Sequence, residues 1–134
     1  MLDIALIRRD PEYVAKALKK KEYEVDFSEF LSWDARRRQV IAEVEAMKAE
    51  RNRLGKEIPQ MKQRGESVET LLGQMKEASD RITAMDLELR DLDKKIEDFV
   101  SALPNLPAED VVAGGKENNR AVHEFGVKPQ FGFK

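Results

Sequence analysis

The 134 residues contain no cysteine, one histidine, one tryptophan and two tyrosines. Without cysteine the chain forms no disulfide and holds no metal through thiolates. With His123 as its single histidine, it offers no imidazole pair for a metal site or a proton relay. No run approaches the roughly 20 apolar residues that span a bilayer. The opening "MLDIALIRRDPEY" lacks the apolar core of a secretory signal. A cytoplasmic setting with no membrane partner is therefore expected.

Catalytic groupings are scarce as well. Asp91 with Asp93 reads as a solvated helix face rather than an acid–base pair. Gly114-Gly115 lacks the spacing of a phosphate loop. Taken alone, the chain reads as non-catalytic, with no catalytic residue, no metal ligand and no cofactor of its own.

Charge is abundant: 37% of residues are charged, for a net charge of −2. That balance excludes a chain that is basic throughout, but the charge is unevenly spread. Between Lys48 and Arg64 lie six basic residues (Lys48, Arg51, Arg53, Lys56, Lys62, Arg64) and two acidic ones (Glu50, Glu57), a local +4. Between Glu66 and Asp98 lie ten acidic and five basic residues, a local −5.

Residues 1–25 read as a short helical base. Asp10 and Pro11 suit an N-cap and the first helical position. Val14 and Leu18 share a face, and Lys19, Lys20 and Lys21 suit the negative end of the helix.

Two long helices follow, expected at 26–63 with Asp26 as cap, and at 68–103 with Ser67 as start signal. The first carries a seam at Phe30, Trp33, Arg37, Val40, Val44, Met47, Arg51, Leu54, Ile58 and Met61. The second carries Val68, Leu71, Met75, Ala78, Ile82, Met85, Leu89, Leu92, Ile96 and Phe99. Steps of three and four alternate throughout, which is the heptad pattern. Folding the chain between Arg64 and Gly65 brings 61 against 68, 58 against 71, 54 against 75, and so on to 30 against 99. Eighteen of the twenty seam positions are apolar, against about eight expected from a 41% hydrophobic composition. Arg37 and Arg51 are the exceptions. Arg37 lies near Asp91 and Asp93, and Arg51 faces small Ala78.

The fold class expected is all-α: a long antiparallel two-helix coiled-coil hairpin, residues 64–67 its turn, with the helical base packed at its foot. No third long helix exists to cover the arm. Pro59 removes one helical hydrogen bond to Gly55, but Ile58 and Met61 keep the seam's phase, so a kinked helix that continues is expected. Residues 104–134 read as an extended linker and tail, with "AVHEFGV" alternating like a first strand of a further domain.

The tip's basic residues carry the functional signal. Arg53, Lys56, Lys62 and Arg64 are candidate phosphate contacts, with Lys48, Asn52 and Lys76 as secondary candidates. The rival readings are a coiled-coil protein-interaction or scaffold hairpin and a domain-swapped dimer. The tip residues Gln60, Lys62, Gln63, Arg64 and Glu66 are polar, which weighs against a sticky protein-binding end.

The stretch "LDIALIRRDPEYVAKAL" resembles the opening of bacterial seryl-tRNA synthetases, in Leu2-Asp3, Leu6-Ile7-Arg8, Pro11-Glu12, Val14 and Leu18. "WDARRR", "AERNRLGKEI" and "RGE" are similar to that family's arm motifs. "LPNLPAEDV", Gly115-Lys116-Glu117-Asn118-Asn119 and "FGVKPQFGF" resemble its linker and the start of its catalytic domain. The sequence departs from the family at Pro59, where glycine is usual, at Phe125, usually tryptophan, and at Gly132, usually aspartate.

The resemblance implies a tRNA-binding arm that grips the long variable arm and elbow of serine tRNA, and that also meets selenocysteine tRNA. It implies a homodimeric ligase that uses ATP and Mg²⁺ in a class II catalytic domain, none of whose motifs falls within these residues. The chain is thus expected to be an N-terminal fragment, with serine tRNA and not DNA as its partner.

Overall fold

The computed structural model describes residues 2–132. Four α-helices run in order: α1 (Ile4–Arg9), α2 (Pro11–Lys19), α3 (Ser28–Gln63) and α4 (Glu69–Ala102), followed by a 3-10 turn at Lys116–Asn118. Among the described residues there is no strand, and the fold is all-α as the periodicity predicts.

The base is two helices rather than one. Asp3 accepts a hydrogen bond from the Ala5 N–H at 2.8 Å and opens α1. Asp10 ends α1 and caps α2, accepting from the Tyr13 N–H at 2.9 Å, with Pro11 as first helical residue. Each side chain satisfies a helix-start N–H that has no partner within the helix. Ile7, Val14 and Leu18 point into the foot of the hairpin, where they pack with Phe27, Phe30, Ile96, Val100 and Leu103.

α3 and α4 form the arm. At 36 residues and about 1.5 Å per residue, α3 is about 54 Å long. All twenty positions of the expected seam are buried or half-buried, and none is exposed. The register agrees: the Phe30 and Phe99 rings stack with centroids 5.7 Å apart. Arg37 leans out of the seam to donate from Nε to Asp93. Arg36 makes a two-point pair with Glu88 at 2.6 and 3.0 Å, which ties the helices in the same register.

The ends of the helices differ slightly from expectation. The cap position of α3 is Phe27, but the Asp26 carboxylate accepts from both the Ser28 N–H at 2.9 Å and its hydroxyl at 2.6 Å, so Asp26 caps from one residue further out. Those bonds hold the Asp26 carboxyl below its ordinary range. Ser67 does not cap α4; Val68 takes the cap position, half-buried at the end of the seam.

The turn closes α3 with Gly65 at φ 72. Glu66 N–H reaches back to Met61 O at 3.0 Å and Gly65 N–H to Lys62 O at 3.1 Å, the paired bonds of a Schellman ending. Pro59 lies inside α3, and the helix continues past it to Gln63.

After α4 the chain turns back along the base. Lys20 Nζ donates to the carbonyls of Glu109 at 3.0 Å and Val111 at 3.3 Å. Lys21 Nζ donates to Asn105 O at 2.7 Å. These lysines, standing at the end of their own helix as expected, also strap the linker to the base. The alternating segment 121–127 forms no strand here, and the chain bends at Gly126 with φ 84. A strand needs a neighbour for its backbone groups, and Val122, Phe125 and Val127 are each at least 95% exposed.

Candidate nucleic-acid interface

The outer half of the arm carries the candidate residues. Lys48, Asn52 and Lys56 follow one another at four-residue steps on α3, so they form a stripe along one helix face. Asn52, Arg53 and Lys56 are exposed, and Lys48 is half-buried. Lys62 and Arg64 are exposed beside the turn. Lys76 is exposed on α4, level with Arg53 in the register described above.

Ion pairing separates these cations. Lys48 lies 3.6 Å from Asp86 across the hairpin. Arg64 lies 3.6 Å from Glu66. Arg53 is bound on two sides: Nε and Nη2 donate to Glu50 at 2.8 and 2.5 Å, and Nη1 donates to Glu57 at 2.6 Å. Hydrogen bonding and charge from Glu50, with Glu57 adding charge, raise the Arg53 pKa further; the same contacts hold the Glu50 carboxyl below its usual range. No ion pair engages Lys56, Lys62 or Lys76 among the described residues. The local +4 of the sequence is therefore presented mainly through lysines. The Arg53 guanidinium is largely neutralised by its own helix. That pairing was readable in the sequence, since Glu50 and Glu57 stand three before and four after Arg53.

Apolar exposure at this end is slight. Leu72 is 48% exposed one turn into α4, and it stands alone. Single exposed hydrophobic residues are ordinary on a protein surface.

A second polar cluster, absent from the sequence reading, lies at the foot of the arm. Asp34 is only 2% exposed. Its two oxygens accept from Arg8 Nε and Nη2, each at 2.7 Å, and Arg38 Nε donates to it at 3.2 Å. Arg8 comes from α1 and Asp34 from α3, so the pair locks the base to the hairpin. The Arg8 hydrogen bond, ahead of its charge and that of Arg38, holds the Asp34 carboxyl below its ordinary range despite burial. All its buried polar atoms have partners, which fits a structural lock rather than a reactive site.

No group of three or more His, Asp or Glu side chains gathers to hold a metal ion among the described residues. Among the described residues no helix is long and apolar enough to cross a membrane.

Comparison with known proteins agrees with this architecture. A family model described as the seryl-tRNA synthetase N-terminal domain matches residues 1–107. The chain is 47% identical over 135 residues to serine–tRNA ligase 2 of Clostridium acetobutylicum, covering 100% of this chain and 32% of that protein. It is 39% identical over 134 residues to the serine–tRNA ligase of Oleidesulfovibrio alaskensis, covering 99% of this chain and 31% of that protein. The crystal structure of seryl-tRNA synthetase from Pyrococcus horikoshii complexed with ATP superposes with a TM-score of 0.78 at 35% identity, over 89% of this chain and 27% of that one. The chain spans less than a third of the length of the curated relatives named here. By the family match, the identity to part of each serine–tRNA ligase and the shared hairpin, the chain belongs to the seryl-tRNA synthetase N-terminal domain family.

Proposed function

We propose that this chain is the tRNA-binding arm of a seryl-tRNA synthetase and that its outer end holds serine tRNA by the backbone of the long variable stem and elbow. The observation that carries the reading is the placement of Lys56 and Lys62, exposed and without an ion pair among the described residues, at the far end of a stiff helical arm. An A-form RNA stem hides its deep groove and presents phosphates and 2′-hydroxyls. A row of cations on a rigid rod therefore reads where the phosphates lie rather than which bases they carry. Asn52 stands between Lys48 and Lys56, where its amide suits a ribose or phosphate oxygen. Lys76 and Arg64 complete the cationic end.

The arm positions a substrate for chemistry done elsewhere. In the whole protein, we propose, ATP and Mg²⁺ serve a class II catalytic domain that activates serine, and residues 104–134 lead into it. Among the described residues no group of three or more His, Asp or Glu side chains gathers, and no chemical step is assigned to them. The homodimer, with the arm of one subunit serving the tRNA of the other, and the use of selenocysteine tRNA belong to the same proposal, as does a cytoplasmic location.

The test is a titration of the chain with serine tRNA and with the same tRNA lacking its variable stem, at about 50 and 200 mM salt. Tighter binding of the intact tRNA, weakening as salt rises, is the expected outcome. Equal affinity for the two RNAs would sink the shape-reading arm. Binding to neither would leave the hairpin a protein-interaction module.

A further inference from the structure

The Arg53 fork poses a physical problem for an RNA-binding surface. Its side chain is 59% exposed, yet Nε and both terminal nitrogens already donate to Glu50 and Glu57. A phosphate arriving from solvent meets two carboxylates and one arginine, a patch of net −1, beside Lys56. Both carboxylates are themselves substantially exposed, at 54% for Glu50 and 42% for Glu57, so water competes for them and their hold on Arg53 is reversible. A phosphate presents the same two-oxygen face as a carboxylate and takes the same fork geometry. The arrangement is therefore an exchange site: arginine held by glutamate until a phosphate is placed well enough to replace it.

We infer that Glu50 and Glu57 are specificity-determining residues, withholding Arg53 from loosely placed RNA phosphates and yielding it to an RNA already seated on Lys56 and Lys62. The inference rests on the tRNA-binding reading above and adds a selection step to it. Unpaired lysines attract any RNA, because phosphate attraction is independent of sequence and shape. Two carboxylates at the same level repel an RNA whose backbone does not follow the arm. Only an RNA held in the right line brings a phosphate within reach of the fork and recovers the cost of displacing them. Discrimination thus comes from a repulsive element as well as from attraction.

The deciding experiment compares three variants of the whole chain with the wild type: E50Q/E57Q, the same pair with R53A added, and E45Q/E77Q. Glu45 and Glu77 are exposed and carry no ion pair among the described residues, so their replacement removes equal charge without freeing an arginine. Glutamine keeps the helix propensity of glutamate. Each variant is titrated with serine tRNA and with the stemless tRNA at about 50 and 200 mM salt. E50Q/E57Q is expected to tighten the stemless RNA by about tenfold and serine tRNA by clearly less, narrowing the preference between them. Its salt slope on the stemless RNA should steepen by about 0.9, the increment of one added phosphate contact. Both gains should vanish when R53A is added and be absent in E45Q/E77Q. Gains of equal size in E45Q/E77Q, or gains that survive R53A, overturn the inference while the arm reading stands. If the wild type and every variant ignore both RNAs, the arm reading falls and takes the inference with it.

Discussion

At the foot of the arm Ile7, Val14, Leu18, Phe30 and Val100 are almost completely buried, and the Asp34 carboxylate is shut in beside them, paired with a more open Arg8. At the tip Ile58, Met61, Val68 and Leu71 are only half-buried, and the ion pairs lie open to water. The same two helices make both regions. The difference is that α1 and α2 cover the foot, whereas none of the described residues covers the tip. A two-helix seam buries one narrow stripe per helix, and a third layer is needed to shut out solvent. The foot therefore supplies stability and direction, and the tip supplies reach and accessible charge.

The sharpest way to break the comparison is to hollow out the foot. Phe30→Ala removes a ring that stacks on Phe99 and meets Phe27 edge-on. A loss of about 3–5 kcal/mol is expected, read from the urea midpoint by circular dichroism. A loss under about 1 kcal/mol would show that the foot is not the stabilising end.

Asp34→Asn comes next. It leaves the Arg8 fork facing a neutral amide, and because Arg8 is 39% exposed, water recovers part of the loss. About 1–3 kcal/mol is expected. The effect has a pH signature. The Asp34 carboxyl is depressed in the folded chain, first by the Arg8 hydrogen bond. Its contribution is complete above the unfolded value of about 3.9 and is lost as pH falls through the lower folded value. The stability gap between wild type and Asp34→Asn should be level near neutrality and close below about pH 4. A gap that stays constant into strong acid would refute the lock.

These two residues mark the limit of what sequence reasoning reached. Phe30 was legible because the seam repeats twenty times and its mirror symmetry assigns Phe99 as partner. Asp34 was not, because "WDARRR" reads as one acid among solvated arginines. Its burial is created by α1, whose Arg8 lies 26 residues away in sequence. Lys20 and Lys21 stand at the end of α2 as expected, but their acceptors were hidden for the same reason: these are linker carbonyls more than 80 residues distant. At the tip, local net charge groups Arg53, Lys56, Lys62 and Arg64 together, while the reach of Glu50 and Glu57 within one helix sets Arg53 apart. Periodicity reports what recurs along a chain, and a single tertiary crossing does not recur.

Pro59 tests how loosely the tip is held. The helix runs through it, so Gly55 lacks the hydrogen bond that an amide at 59 would give. Proline deep in a helix costs about 3 kcal/mol relative to alanine. Here it stands one turn from the end of α3 and is exposed to solvent, so Pro59→Ala should stabilise the tip by about 1–2 kcal/mol. Slower amide exchange is expected at residues 60–64, with little change at the foot. Slowing at both ends alike would mean that the arm opens as one unit, and the contrast between its ends would lose its basis.

The smallest structural effect, and the most informative functional one, belongs to Lys56→Ala with Lys62→Ala. Neither lysine has an ion pair among the described residues, so folding stability should shift by no more than about 0.5 kcal/mol. RNA affinity should fall, and its salt slope should become shallower by about 0.9 for each phosphate contact removed. The same pair of changes at the foot, Lys16→Ala with Lys19→Ala, is the natural control, since Lys16 and Lys19 are exposed cations at the opposite end of the molecule. If both double variants weaken binding equally, the chain attracts RNA through its overall field and the tip has no special place. If only the tip variant does so, stability and recognition have been divided between the two ends of one hairpin, with the covered end holding the uncovered end at a set distance from the rest of the molecule.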